Sequence, residues 1–258
     1  MSRWLSSLAR RVGLPTAGRR AGLCSLGRRL LRIAKSGDAE QSTDLLPCSS
    51  SEAMAAHVAD ALAVHDKGEH WTVLLDPGMA PLLEVESTNL DLDEPAWHAL
   101  AEHRFASILG DTAERYRVAL ERFPRASRLA CAFPAALVQV LLNTSIHRSG
   151  RLSIVPALAH AHSVVAGTLT QPHWIVCVTD ETCQAAWCTE DRLHLGAPFP
   201  ASTDQPLHDI LKREADFLGI GDSTTLDGRV VLIGRPHASL RSGWSDALMA
   251  TDAMGQGL

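Results

Sequence analysis

A chain of 258 residues with 46% hydrophobic and 21% charged content suits one large domain or two small ones, which excludes a disordered chain. No apolar run approaches the roughly 20 residues needed to span a bilayer, and the N-terminus lacks the apolar region of a signal peptide, so a cytoplasmic protein with reduced cysteines is expected. The net charge of -5 hides an asymmetry, because every charged residue before Asp38, from Arg3 to Lys35, is basic. Such a leader suggests an anionic partner: a membrane surface, an acidic protein face or nucleic acid.

Taken in chain order, Trp4, Leu5, Leu8 and Val12 recur at helical spacing, with Arg10 and Arg11 off that stripe. This basic amphipathic segment, residues 1–18, is expected to lie on a membrane surface or dock on a partner, the alternatives being a frayed tail or a helix packed on its own domain. RAGLCSLGRRLLRIAK reads as two strands around a tight turn, and SSSEAMAAHVADALAVH as a helix with serine caps. WTVLLD, the Pro77-Gly78 turn and APLLEVES read as a hairpin. LDLDEPAWHALAEHRFASILG is a helix with acids before its first turn. YRVALERF and RLACAF are strand candidates, and PAALVQVLLNTSIHR is a helix with proline at its start.

RLSIV (strand) and PALAHAHSVVAGTL (helix) open the last block. HWIVCV, TCQAAWCT and DRLHL follow as three strands, the first so continuously apolar that it should be covered on both faces. LHDILKREADFLGI is an amphipathic helix, RVVLIG a buried strand and SLRSGWSDALMA a final helix, before a disordered tail at 251–258.

Cys177, Cys183 and Cys188 are spaced C-x5-C and C-x4-C, with no matching pair downstream, so they read as small apolar strand residues rather than metal ligands. His160 and His162, two apart on a helix, should point to different faces, and no HExxH, Walker-type or GxSxG motif occurs. The six tryptophans are scattered and form no stacking platform for single-stranded nucleic acid. Arg235, His237 and Arg241 before a predicted helix form either a solvated loop or an anion site.

The order hairpin plus helix, inserted α+β unit, three strands, helix, strand, helix resembles the actin-like ATPase superfamily. Within it, the pattern is nearest to the PilM, MshI and cytoplasmic GspL type of pilus and type II secretion assembly protein. WTVLLDPGMAPLLEVESTNLDLDEPAWHALAEHRFASILG is similar to the insertion module of that group, and GRLSIVPALAHAHSVV to the strand and helix that reopen the second half. The resemblance implies an α/β fold with duplicated mixed β-sheet domains of the actin-like, ribonuclease H-like kind. It divides the chain into a first half at 19–76 and 128–150, an inserted α+β subdomain at 77–127, and a second half at 151–250.

ATP-binding members carry a D-x-G turn in the opening hairpin of each half, serving phosphate and hydrated Mg²⁺, and a Gly-Gly near the adenosine. Laid on the first turn, this chain has Cys24 for the acid and Leu26 for the glycine. On the second it has Cys177 and Thr179, and at the Gly-Gly it has Gly234 and Arg235. A thiol is a poor Mg²⁺ partner, and Thr179 adds a Cβ at a phosphate turn. Asp180 lies one residue from the alignment but is followed by Glu181 and Thr182, and reads as an acidic surface turn. The resemblance therefore implies a non-catalytic scaffold with a degenerate nucleotide site. No cofactor is expected, although ATP remains possible. The expected partner is the cytosolic tail of an inner-membrane pilus or secretion protein, or the assembly ATPase. An ATPase with atypical phosphate loops, using Asp180 and Gly234, and an unrelated interaction domain are the alternatives.

Overall fold

The computed structural model describes residues 21–27, 30–35, 41–44, 51–63, 70–86, 92–120, 127–143, 152–165, 171–179, 181–189, 192–203, 205–220, 229–234 and 248–250. The amphipathic segment with Trp4, Leu5, Leu8, Arg10, Arg11 and Val12, the sites at Asp180 and Arg235, and the tail 251–258 all lie outside these residues.

The first sheet is built from β1 (Ala21–Leu26), β2 (Leu30–Lys35), β3 (Gln41–Asp44), β4 (His70–Leu75) and β8 (Leu152–Pro156), in the order β3-β2-β1-β4-β8. Its first three strands are antiparallel, whereas β1, β4 and β8 run parallel. The second sheet repeats this scheme. β9 (His173–Val178), β10 (Thr182–Cys188) and β11 (Leu193–Leu195) form an antiparallel set, and β13 (Arg229–Gly234) and β14 (Leu248–Ala250) continue parallel to β9. The short β12 (Phe199–Pro200) pairs with β10. The strand order β11-β10-β9-β13-β14 thus reproduces that of the first sheet, which is the duplication expected from the sequence.

The predicted hairpin across Pro77-Gly78 does not form. β4 is buried along five of its six residues and already has β1 and β8 as neighbours, so it offers no free edge. The turn instead carries the chain out of the large sheet into a third sheet, where β5 (Leu82–Glu86) pairs with β7 (Ser127–Pro134) and β7 with β6 (Tyr116–Leu120). This small sheet runs to Pro134, beyond the expected boundary at 127. The predicted final helix is also corrected at its end, because Leu248–Ala250 is a strand. Three apolar residues complete their backbone hydrogen bonds on the edge of β13, and tertiary pairing overrides local helical preference.

The helices are α1 (Ser51–Ala63), α2 (Glu94–Leu109), α3 (Ala135–Leu142), α4 (Ala157–Val165) and α5 (Leu207–Phe217). α2 shows how sequence sets a helix start. Asp93 is extended at φ -72 and ψ 168, its carboxyl accepts from Ala96 N at 2.9 Å, and a proline occupies the first turn. Asp93→Ala should cost about 1 kcal/mol, read as a lowered urea midpoint; an unchanged midpoint would show that packing alone holds this helix end. Trp97, Ala101 and Phe105 then face Val85, Ala130 and Ala132 of the small sheet. Beside them the buried Arg128 guanidinium lies 4.7 Å over the Trp97 ring and donates to Glu94 at 2.7 Å.

The largest core is shared. Leu26, Val73, Leu75 and Val155 of the first sheet join Ile175, Cys177, Val231 and Ile233 of the second through α4, while Leu82, Leu129 and Cys131 bring in the small sheet. A separate cluster on the far face of the second sheet packs Trp174, Val176, Val230 and Leu232 against Leu207, Ile210 and Leu211 of α5. There Trp174 and Trp187 meet at 5.4 Å with a 53° tilt.

Candidate functional site

The ends of β1, β4 and β9 converge where the two halves meet. At their centre is Asp76, the residue after β4, which is 2% exposed. Its backbone N–H donates to Leu26 O at 3.0 Å, which extends the β1–β4 ladder by one step, and its carbonyl accepts from Met79 N and Ala80 N. The side chain crosses to the other half. One carboxyl oxygen accepts from Gly78 N at 2.7 Å and from the Thr182 hydroxyl at 2.6 Å, and the other meets the Thr179 hydroxyl.

Thr179 and Thr182 flank the β9–β10 turn and brace each other. Thr179 N donates to Thr182 O at 3.0 Å, and Thr182 N donates to the Thr179 hydroxyl at 3.1 Å. Glu181, inside that turn, lies across Gly27 at the end of β1, so close that a Cβ on Gly27 would stand 2.6 Å from its Oε1. Gly78 is similarly tight, since a Cβ there would stand 3.0 Å from Asp76 Oδ1 and 3.4 Å from the Thr182 hydroxyl. Gly27 thus leaves room for the end of the Glu181 side chain, and Gly78 for the Asp76 carboxyl.

Of the sequence-derived positions that the structure describes, Cys24, Leu26, Cys177, Thr179 and Gly234 lie on or directly after β1, β9 and β13, though not all of them face the junction. Cys24 and Leu26 are fully buried in the shared core, as is Cys177 at 4% exposure, so these side chains serve packing. Among the described ones, Thr179 reaches the polar cluster. Gly234 adopts φ +113, and a Cβ there would lie 1.9 Å from Val178 O. This glycine is required by the close passage of β13 against β9, whatever occupies the cleft.

The three cysteines of the second sheet do not converge. Cys177 and Cys188 face the shared core, whereas Cys183 faces the α5 side. Burial pushes Cys24 up to about 12. It does the same to Cys183, with the nearby Asp76 charge adding to the effect. Cys177 is raised further by burial, then by Cys183 and Asp76. At neutral pH these are thiols, neither nucleophiles nor metal-binding thiolates. Among the described residues no group of three or more His, Cys, Asp or Glu side chains is placed to hold a metal ion.

Sequence reasoning missed Asp76, reading WTVLLDPG as a hairpin turn. The available signal was an acid directly ending an apolar run and followed by Pro-Gly, the place where a central strand delivers a side chain to the mouth of an α/β sheet.

Comparison with protein-family profiles and with curated proteins gives no match. Solved structures do match over most of the chain. A Bacteroides thetaiotaomicron protein with an actin-like ATPase fold and unknown function superposes with a TM-score of 0.53 at 10% identity, over 86% of both chains. The cytoplasmic domain of EpsL, an inner-membrane component of the type II secretion system of Vibrio cholerae, gives 0.51 at 9% identity, over 84% of this chain and 83% of that one. A PilM–PilN type IV pilus biogenesis complex gives a weaker 0.44 at 11% identity, over 76% and 66%. The chain has the actin-like ATPase fold. Among the described residues no helix is long and apolar enough to cross a membrane.

Proposed function

From this actin-like fold we propose a non-catalytic scaffold of a type IV pilus or type II secretion-like inner-membrane assembly, which docks the cytosolic tail of a membrane protein or the assembly ATPase. One observation carries the reading. The carboxyl group at the meeting point of the two halves is hydrogen-bonded by two threonines and a backbone N–H, while the two hairpin positions expected to carry acids hold buried cysteines. Asp76 could then hold a hydrated Mg²⁺ only by giving up these protein contacts. The likeness to the EpsL cytoplasmic domain over most of both chains supports the choice of assembly. The basic segment before the first strand would help to hold the protein at an anionic inner-membrane surface.

A second reading, an ATPase with atypical phosphate loops, is favoured by Asp76 itself, a buried carboxyl poised between the β1 end and the β9–β10 turn. Calorimetry with Mg-ATP and a phosphate-release assay separate the two. The scaffold reading expects neither binding heat nor turnover. Tight binding, or hydrolysis that disappears in Asp76→Asn or Asp180→Ala, overturns it. The membrane arm is tested by flotation with anionic liposomes, where removal of residues 1–14 should reduce flotation; equal flotation removes that arm.

A further inference from the structure

We propose that Asp76 is a latch that keeps the cleft end of the junction between the two halves closed. The geometry assigns the role. Asp76 belongs to the first half through its backbone bond to Leu26 O, yet both of its carboxyl oxygens are held by the β9–β10 turn of the second half. The bond lengths are those of strong contacts, with Thr182 at 2.6 Å and Gly78 N at 2.7 Å, and the group is nearly sealed from water. A sealed carboxyl that loses its donors incurs a desolvation penalty, so the carboxyl and the two hydroxyls separate only together. Gly78 leaves room beside the device, because a Cβ there would press on the Asp76 carboxyl at 3.0 Å.

The latch differs from the ion pair between Arg192 and Glu86, which also joins the second half to the small sheet. That pair is 3.3 Å apart with both side chains about half exposed, and water screens it. The latch is buried and hydrogen-bonded, so it sets whether the junction opens locally at its cleft end while the shared apolar core holds the rest together, and any cation or hydrogen-bond donor that competes for Asp76 would release it. The inference holds whether the chain is a scaffold or an ATPase.

The protein's own thiols report the state of the latch. Cys177 is two residues before Thr179 and Cys183 directly follows Thr182, whereas Cys131 lies on β7 and Cys188 at the far end of β10. The full chain is treated with a maleimide at pH 8 and labelling of each cysteine is followed by peptide mass spectrometry, for wild type, Asp76→Asn and the double variant Thr179→Val, Thr182→Val. Opening predicts that labelling of Cys177 and Cys183 rises by about tenfold or more while Cys131 and Cys188 keep their wild-type rates. Unchanged labelling at Cys177 and Cys183 in the double variant overturns the proposal. So does an equal rise at all four, which would make these bonds a support of the whole fold. The milder Asp76→Asn gives the same readout should the double variant fail to fold.

Discussion

Gly234→Ala is expected to destabilise the chain by more than about 3 kcal/mol, at the upper end of what a single substitution does. The new Cβ would lie 1.9 Å from Val178 O and 2.9 Å from Val178 C, both backbone atoms of the neighbouring strand, so no side-chain rotation relieves the overlap. The β9 and β13 ladder, where Gly234 is opposite Val178, would have to part at its cleft end. Gly110 and Gly219 supply the control, since both have positive φ but nothing within 4 Å of an added Cβ. Their alanine variants should lose only the backbone strain of about 1–3 kcal/mol, without the steric overlap. Urea midpoints of the three variants decide the matter, and equal losses would refute the role of the close approach.

Acidification is the second large effect, and its origin is a set of buried imidazoles. His160 is lowered to about 4 by burial, and His162 to about 4 by burial and then by His173. His173 is lowered by burial and by Arg229, against the opposing effect of its 2.7 Å hydrogen bond to Gln171 O. A folded-state pKa below the unfolded value of 6.5 means that the native state favours the neutral ring. The stabilisation is complete above about pH 6.5 and falls as pH drops toward 4, where the unfolded chain binds the extra protons. Each such imidazole contributes a slope of about 1.4 kcal/mol per pH unit in that window. Urea unfolding at pH 7 and pH 5 should show the loss, and His160→Phe should flatten it. A His160→Phe curve parallel to wild type would assign the acid sensitivity elsewhere.

Where a signal was local, the sequence was readable. HWIVCV is apolar at nearly every position, and the strand is indeed central, with all six residues buried between β10 and β13. The strand-turn-strand reading of VCVTDETCQAAWC follows from the same alternation of apolar runs and polar breaks. What failed depended on neighbours. WTVLLD followed by Pro-Gly has the same local chemistry whether the chain doubles back or leaves the sheet, and the choice was made by β8, which takes the edge that a hairpin partner would need. Leu248–Ala250 is a strand only because β13 supplies a ladder. Asp76 stayed hidden for a related reason: its hydroxyl partners lie 103 and 106 residues further along the chain. No motif of fixed spacing spans that interval, whereas the D-x-G positions, compact and local, could be checked one residue at a time.

The apolar core that runs through both sheets and α4 bears on how the molecule comes into being. Neither half has a complete interior of its own: cut between β8 and β9, each fragment would present to water the surface made by Val73, Leu75 and Val155 or by Ile175, Val231 and Ile233. During synthesis the first half must therefore wait, with that surface exposed, until the strands after residue 173 leave the ribosome. The interval before the second half arrives is when the nascent chain is most open to aggregation and to chaperone capture.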